Sequence, residues 1–264
     1  MRVGYHIISM YRLEATMHGP EDAGRVAEFC RTHGITSLHI VHTAKGSDPA
    51  DNVKRIRAIA PGIRMTAYIC AKHVVDRSVE SGRIAFRQLF AAVKKEGAVS
   101  TVVTSGYPRG DFDSIEALRS FPGHHVAPGM HVSCVYNPYY DPARLREEQD
   151  RLRSKLLFPF VEGVVFQIGM DTEKLKKGAE AVRAIRPDIQ LLGVVPAPAE
   201  GTLAYLRDNA PYGIFLPNSY LLNVETASEM TQNLLHVFYE LGIEPVIHAE
   251  RLEDAEETME LFAK

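Results

Sequence analysis

Three cysteines in 264 residues, Cys30, Cys70 and Cys134, are too few and too widely spaced for a disulfide framework. None forms a C-x-x-C pair, so a thiolate metal knuckle is not expected, and the count suits a reducing compartment. No apolar run is long enough to cross a bilayer, and the first residues enter a strand pattern directly, without the apolar core of a signal peptide. A cytoplasmic protein with no membrane partner is the expectation. Charge of one sign is lacking as well. Thirty Lys and Arg against 33 Asp and Glu leave a formal net charge of -3, which gives no electrostatic case for nucleic acid. No G-x-G-x-x-G follows a strand, so a Rossmann dinucleotide site is unsupported. There is no low-complexity segment and no linker, and the length suits a single domain over residues 1–264.

What is there is an alternation. Short apolar stretches run into longer amphipathic ones eight times, with strands expected at residues 3–9, 37–42, 65–70, 101–105, 131–136, 163–169, 191–196 and 245–249. Helices are expected at residues 21–32, 51–60, 78–96, 114–119, 142–158, 172–185, 200–209, 226–241 and 252–262. Parallel neighbours need a crossover long enough to hold a helix, so this order implies a parallel sheet. Eight units in this length imply an α/β fold of the closed (β/α)8 TIM barrel type, with functional side chains at the C-terminal ends of the strands. Punctuation agrees: Gly34, Gly97 and Gly242 follow helices, Pro20, Pro49 and Pro142 sit in first turns, and Asp141 and Asp171 stand where caps are needed. Residues 107–130 and 210–223 read as long loops, and long loops in compact domains are usually functional.

Several strand ends carry chemistry. Gln167 ends an otherwise apolar strand, and its amide offers a donor and an acceptor. Glu148 and Lys155 are seven apart on one helix and share a face, within a stretch charged throughout that also reads as a solvated face. His39 and His42 form H-x-x-H on a strand. With His6 and His248 they leave a metal-dependent barrel hydrolase open as a minor alternative.

The run from residue 131 to 198 reads V-S-C-V-Y-N-P-Y-Y-D-P, then a helix ending R-L-R-S-K, then V-V-F-Q-I-G-M-D, then L-L-G-V-V-P. In order and spacing this resembles the methylenetetrahydrofolate reductase family, apart from one extra residue before strand six. Weaker likenesses run through I-V-H-T-A-K-G-S and V-V-T-S-G-Y-P. The resemblance implies an oxidoreductase that carries FAD, takes hydride from NAD(P)H and passes it to a folate-bound one-carbon unit. It implies that Lys155 and Glu148 hold the adenylate half of FAD, and that His42, Thr43, Tyr68, Ser105, Gly106 and Asn137 line the flavin site. Gln167 would orient the folate, and Asp171 also matches the family pattern, although a helix cap explains it as well.

Two departures stand out. Where the family has a strand-one glutamate that assists protonation of the folate, this reading places His6, which can itself be a proton donor near neutral pH. Where the family has R-G-D after strand four, this chain has Ser105-Gly106-Tyr107, which removes both charges. Tyr107 donates a hydrogen bond but supplies no negative charge beside a developing cation. The departures motivate two alternatives: a diverged barrel that binds folate or another one-carbon carrier without flavin, and a non-catalytic partner of another protein. The partner expected first is a small molecule, and a homo-oligomer is compatible with the sequence.

Overall fold

In the computed structural model, the described residues are 12–15, 20–42, 48–74, 78–106, 110–121, 129–209 and 213–263. His6, Thr43 and Tyr107 lie outside them. Eight parallel strands close into a barrel in sequence order. They are β1 (Arg12–Ala15), β2 (Ser37–Ile40), β3 (Arg64–Cys70), β4 (Ser100–Thr104), β5 (His131–Tyr136), β6 (Val161–Phe166), β7 (Gln190–Pro196) and β8 (Ile243–Ala249). Around them run α1 (Pro20–Thr32), α2 (Pro49–Ile59), the single turn α3 (Ala71–Val74), α4 (Val79–Glu96) and α5 (Ser114–Arg119). The ring continues with α6 (Pro142–Leu156), α7 (Thr172–Ile185), α8 (Glu200–Asn209), α9 (Val224–Glu240) and α10 (Leu252–Ala263). The (β/α)8 expectation holds, with α3 added and α9 as the extra helix of the seventh unit.

The first strand is the correction. The expected segment, residues 3–9, lies outside the described residues, and Arg12–Ala15 fills the place between β8 and β2. Its sequence, R-L-E-A, hides the strand because only one face is apolar. Leu13 joins the layer between strands and helices, while Arg12 and Glu14 alternate with it on the barrel's inner side.

Two apolar layers result. The larger lies between strands and helices and takes Leu38, Ile40, Met65, Ile69, Phe86, Cys134, Phe166 and Phe238 among others. The smaller fills the barrel interior with Tyr68, Val102, Val165, Ile168, Leu192, Val194 and Val246. Helix ends follow their caps. Asp141 accepts from the amides of Ala143 and Arg144, Asp171 from that of Lys174, and Gly97 ends α4 at φ 107°.

The long connection after α8 positions the mouth of the barrel. The Phe215 amide donates to Ile168 O at 3.0 Å and the Met170 amide to Phe215 O at 3.2 Å, so the loop pairs with the continuation of β6. Ile214 and Leu216 thereby pack onto the interior cluster.

Candidate functional site at the strand ends

The inner wall of the barrel is two-sided. Strands β4 to β7 contribute Val102, Val135, Val165, Leu192 and Val194, joined by Val246 of β8 and by Ile214 and Leu216 from the loop. Strands β8, β1, β2 and β3 contribute His248, Glu14, His39 and Tyr68, all buried. Register brings these together: Glu14 is paired with His248 on one side and with His39 on the other, and His39 is paired with Thr66, two residues before Tyr68.

His248 lies between two carboxylates. Its Nδ1 is 2.9 Å from Glu14 Oε1 and its Nε2 is 2.9 Å from Glu250 Oε1. Burial alone would push the imidazole down, but the two bonded carboxylates outweigh it and raise its pKa to about 10, so both ring nitrogens donate. For Glu14, burial works upward, and the bond and charge of His248 outweigh it to hold the carboxyl below its ordinary value. His39 has no bonded carboxylate, and the nearby charge of Glu14 does not offset its burial. Burial pushes its pKa down to about 4, so it is neutral.

Part of this cluster is unsatisfied. Among the described residues, both nitrogens of His39, the second carboxylate oxygen of Glu14 and the Tyr68 hydroxyl are buried without completing a hydrogen bond. Tyr68 lies close enough to Glu14 that, after burial, the Glu14 charge is what pushes the phenol well above its ordinary range. Close approach is not a bond, however, and the hydrogen-bond geometry is unmet on both sides. The His39 ring packs 5.8 Å from that of Tyr68. Below them, Arg12 is paired with Glu244, and Gln190 donates to Glu244 at 2.7 Å.

The residues singled out from sequence divide among several places. Gln167 is half-buried just past β6, with its backbone amide bonded to Tyr136 O at 3.1 Å and no side-chain hydrogen bond among the described residues. Tyr68 is in the polar part of the interior. His42 lies two residues past β2, accepts from the Cys70 amide at 3.3 Å and packs 5.1 Å from the His73 ring. Asn137 is a brace: its Nδ2 donates to Gly213 O at 2.9 Å and its Oδ1 accepts from the Tyr139 amide at 3.1 Å. Ser105 bonds the Ser114 hydroxyl at 2.8 Å, and Gly106 takes φ 75°, where a Cβ would come within 2.7 Å of Cys70 Sγ.

Glu148 and Lys155 lie between strand and helix. They are 6% and 3% exposed, so the solvated-face reading does not hold for them. The Lys155 ammonium donates to Val135 O at 2.6 Å and stands 3.5 Å from Glu148. Arg151, which the sequence did not single out, continues the chain of charges. It pairs with Asp113 at 2.7 Å, lies 3.9 Å from Glu148 and donates to Ser105 at 3.2 Å. A surface groove between α1 and α10, lined by Arg25, Glu28, Phe29, Glu253 and Glu256, sits in the outer helical layer.

Glu14 and Glu250 were also missed. Glu14's partner His248 is 234 residues away, and only the closed barrel brings them together. The one local signal was a charged pair, Arg12 and Glu14, spaced by two and flanking a leucine.

No protein-family model matches this sequence, and no curated protein matches it. Solved structures do match, and 453 chains share the fold, so the fold alone selects no function. One of them is an uncharacterized protein from Clostridium thermocellum that binds two copies of 5-methyl-5,6,7,8-tetrahydrofolic acid. It aligns with a TM-score of 0.63 at 15% identity, over 96% of this chain and 93% of that one. Identity at that level establishes a common architecture. Among the described residues, no helix is long and apolar enough to cross a membrane, and no group of three or more His, Cys, Asp or Glu side chains is placed to hold a metal ion.

Proposed function

We propose that the barrel binds a reduced folate, or a closely related pterin one-carbon carrier, at its C-terminal mouth and without a flavin. The observation that carries this reading is the two-sided lining. A pterin has flat apolar faces and an edge of hydrogen-bond donors and acceptors. Valines, leucines and isoleucines line one part of the barrel interior, and Glu14, His39 and Tyr68 line the other. Gln167 stands at the rim with an uncommitted amide. The shared architecture with a protein that binds 5-methyltetrahydrofolate supports the same direction.

On this reading the chain is a diverged relative of the methylenetetrahydrofolate reductases. The aligned run through strands five to seven supports it. So does Glu14, which supplies a glutamate on the first barrel strand, where the sequence reading had placed His6. The FAD assignment finds less support. The two residues implied for its adenylate half, Lys155 and Glu148, are buried against each other and against a backbone carbonyl, so neither fits a pyrophosphate or ribose without dismantling that arrangement. The proposal therefore routes no hydride through FAD or NAD(P)H, and the reductase activity implied by the resemblance is not part of it.

Thermal melting with added 5-methyltetrahydrofolate tests the reading. Binding to the folded state raises the midpoint as ligand exceeds Kd. Gln167→Ala is expected to weaken binding by roughly tenfold, the loss of a hydrogen bond to a buried ligand edge. A midpoint unmoved by millimolar-range ligand would overturn it.

A further inference from the structure

Among the described residues, three carboxylates and two cations meet on the polar side of the barrel, with Glu244 at its half-exposed lower end. On the polar side, Arg12 and the imidazolium of His248 face Glu14, Glu244 and Glu250. The buried Glu14 carboxylate gains no second cation from His39, which is neutral. Burying such a charge is costly unless hydrogen bonds reach it. Glu250 and Glu244 each have a bonded partner. Glu14 has one oxygen bonded to His248, while the other completes no hydrogen bond among the described residues and lies close to the Tyr68 hydroxyl, itself beside the His39 ring. All three residues are more than nine-tenths buried. Native proteins leave few such groups unsatisfied, and a cluster of them on one wall marks a place where a guest supplies the missing bonds.

We infer that Glu14, His39 and Tyr68 form the polar floor of the ligand site and take an amidine-type pair of N–H donors. The inference rests on the folate reading and deepens it. The 2-amino-4-oxo-pyrimidine ring of a pterin presents a ring N–H and an adjacent amino group, side by side. An anionic oxygen accepts such donors strongly. The phenol hydroxyl and a neutral imidazole, each a donor and an acceptor, serve the neighbouring carbonyl and ring nitrogen. The carboxylate that recognises the ring then comes from the first strand, on the β1 side of the barrel.

Calorimetric titration of the full chain with 5-methyltetrahydrofolate, and with isocytosine as the bare 2-amino-4-oxo-pyrimidine probe, separates this inference from the reading beneath it. The expected result is that Glu14→Gln weakens both ligands by tenfold or more, in keeping with the loss of a charge-assisted bond. Because Glu14→Gln also disturbs His248, Tyr68→Phe provides a second arm: it keeps the ring and is expected to weaken both ligands several-fold, without shifting the melting temperature of the ligand-free protein by more than a few degrees. A p-aminobenzoylglutamate control, which lacks the pyrimidine, is expected to be indifferent to either substitution. If the folate binds the wild type and both variants equally, the inference is overturned and the folate reading stands. If the folate does not bind, that reading falls. Isocytosine then decides alone: binding lost in both variants upholds the donor-pair site, and no binding, or binding unchanged in the variants, overturns it.

Discussion

Two parts of this barrel use charge in opposite ways. On the side of β4 to β6, Asp113, Glu148, Arg151 and Lys155 are bonded to one another, to Ser105 and to the backbone, in the layer between strands and helices. On the side of β8 to β3, Glu14, His248 and Glu250 lie inside the barrel, and next to them are polar atoms with no partner. The first arrangement, apart from the Arg151 Nε that completes no hydrogen bond, is bonded throughout and holds α5 and α6 to the wall. The second is left open toward the interior. A charged residue at a family-like position is therefore no evidence of a cofactor site until its partners are known. An unremarked charged residue such as Glu14 can be the better candidate.

The largest expected effects come from breaking either arrangement. Lys155→Met takes its nearest cation from the buried Glu148, and is expected to destabilise the fold by about 3–5 kcal/mol in chemical denaturation. The double variant Glu148→Leu with Lys155→Met should recover most of that loss, while folate binding is unaffected. If Lys155→Met instead abolishes ligand binding in a protein of undiminished stability, the contrast between the two sides fails.

His248→Leu leaves Glu14 and Glu250 without the cation between them, and is expected to cost about 3 kcal/mol at neutral pH. The pH dependence has a definite sign. The folded-state pKa of His248 is raised from 6.5 to about 10. Its stabilisation is therefore complete below about pH 6.5 and is lost as pH rises through about 10. Melting temperature followed from pH 6 to 10 should fall more steeply in the wild type than in the variant. Parallel curves would show that the imidazole is not held charged. At the acid end, the lowered pKa of Glu14 contributes stability that is present above its ordinary value of 4.5 and lost as pH falls below it.

Smaller effects belong to local structure. Gly106→Ala places a Cβ at φ 75° and within 2.7 Å of Cys70 Sγ, for an expected loss of about 1–3 kcal/mol. Asp171→Ala removes the cap that accepts from the Lys174 amide, for about 1 kcal/mol, with ligand affinity unchanged. A loss of affinity in Asp171→Ala would give that carboxylate a part in the site beyond the cap.

The fold was largely legible. β5, α5, α7 and α8 fall where periodicity and capping residues place them, because each buries one apolar face or sits between clear stop signals. β1 was not legible. A strand with Arg12 and Glu14 turned inward lacks the continuous apolar run expected of a parallel barrel strand, and the pattern of residues 3–9 was the stronger local signal. The site was legible only in part. Gln167 could be named because it follows an apolar strand, and Tyr68 because of the position it takes in the family resemblance. Glu14 and Glu250 acquire meaning only through His248, and sequence distance conceals that contact. Lys155 was legible as a charge, whereas the Val135 carbonyl that binds it was not.

Equilibrium titration of the purified full-length chain with 5-methyltetrahydrofolate and, in parallel, with FAD tests the central claim most directly. The account predicts saturable folate binding that does not require FAD, together with no flavin absorbance retained by the protein. A chain that retains FAD, and loses it when Lys155 is replaced by methionine, would contradict the account.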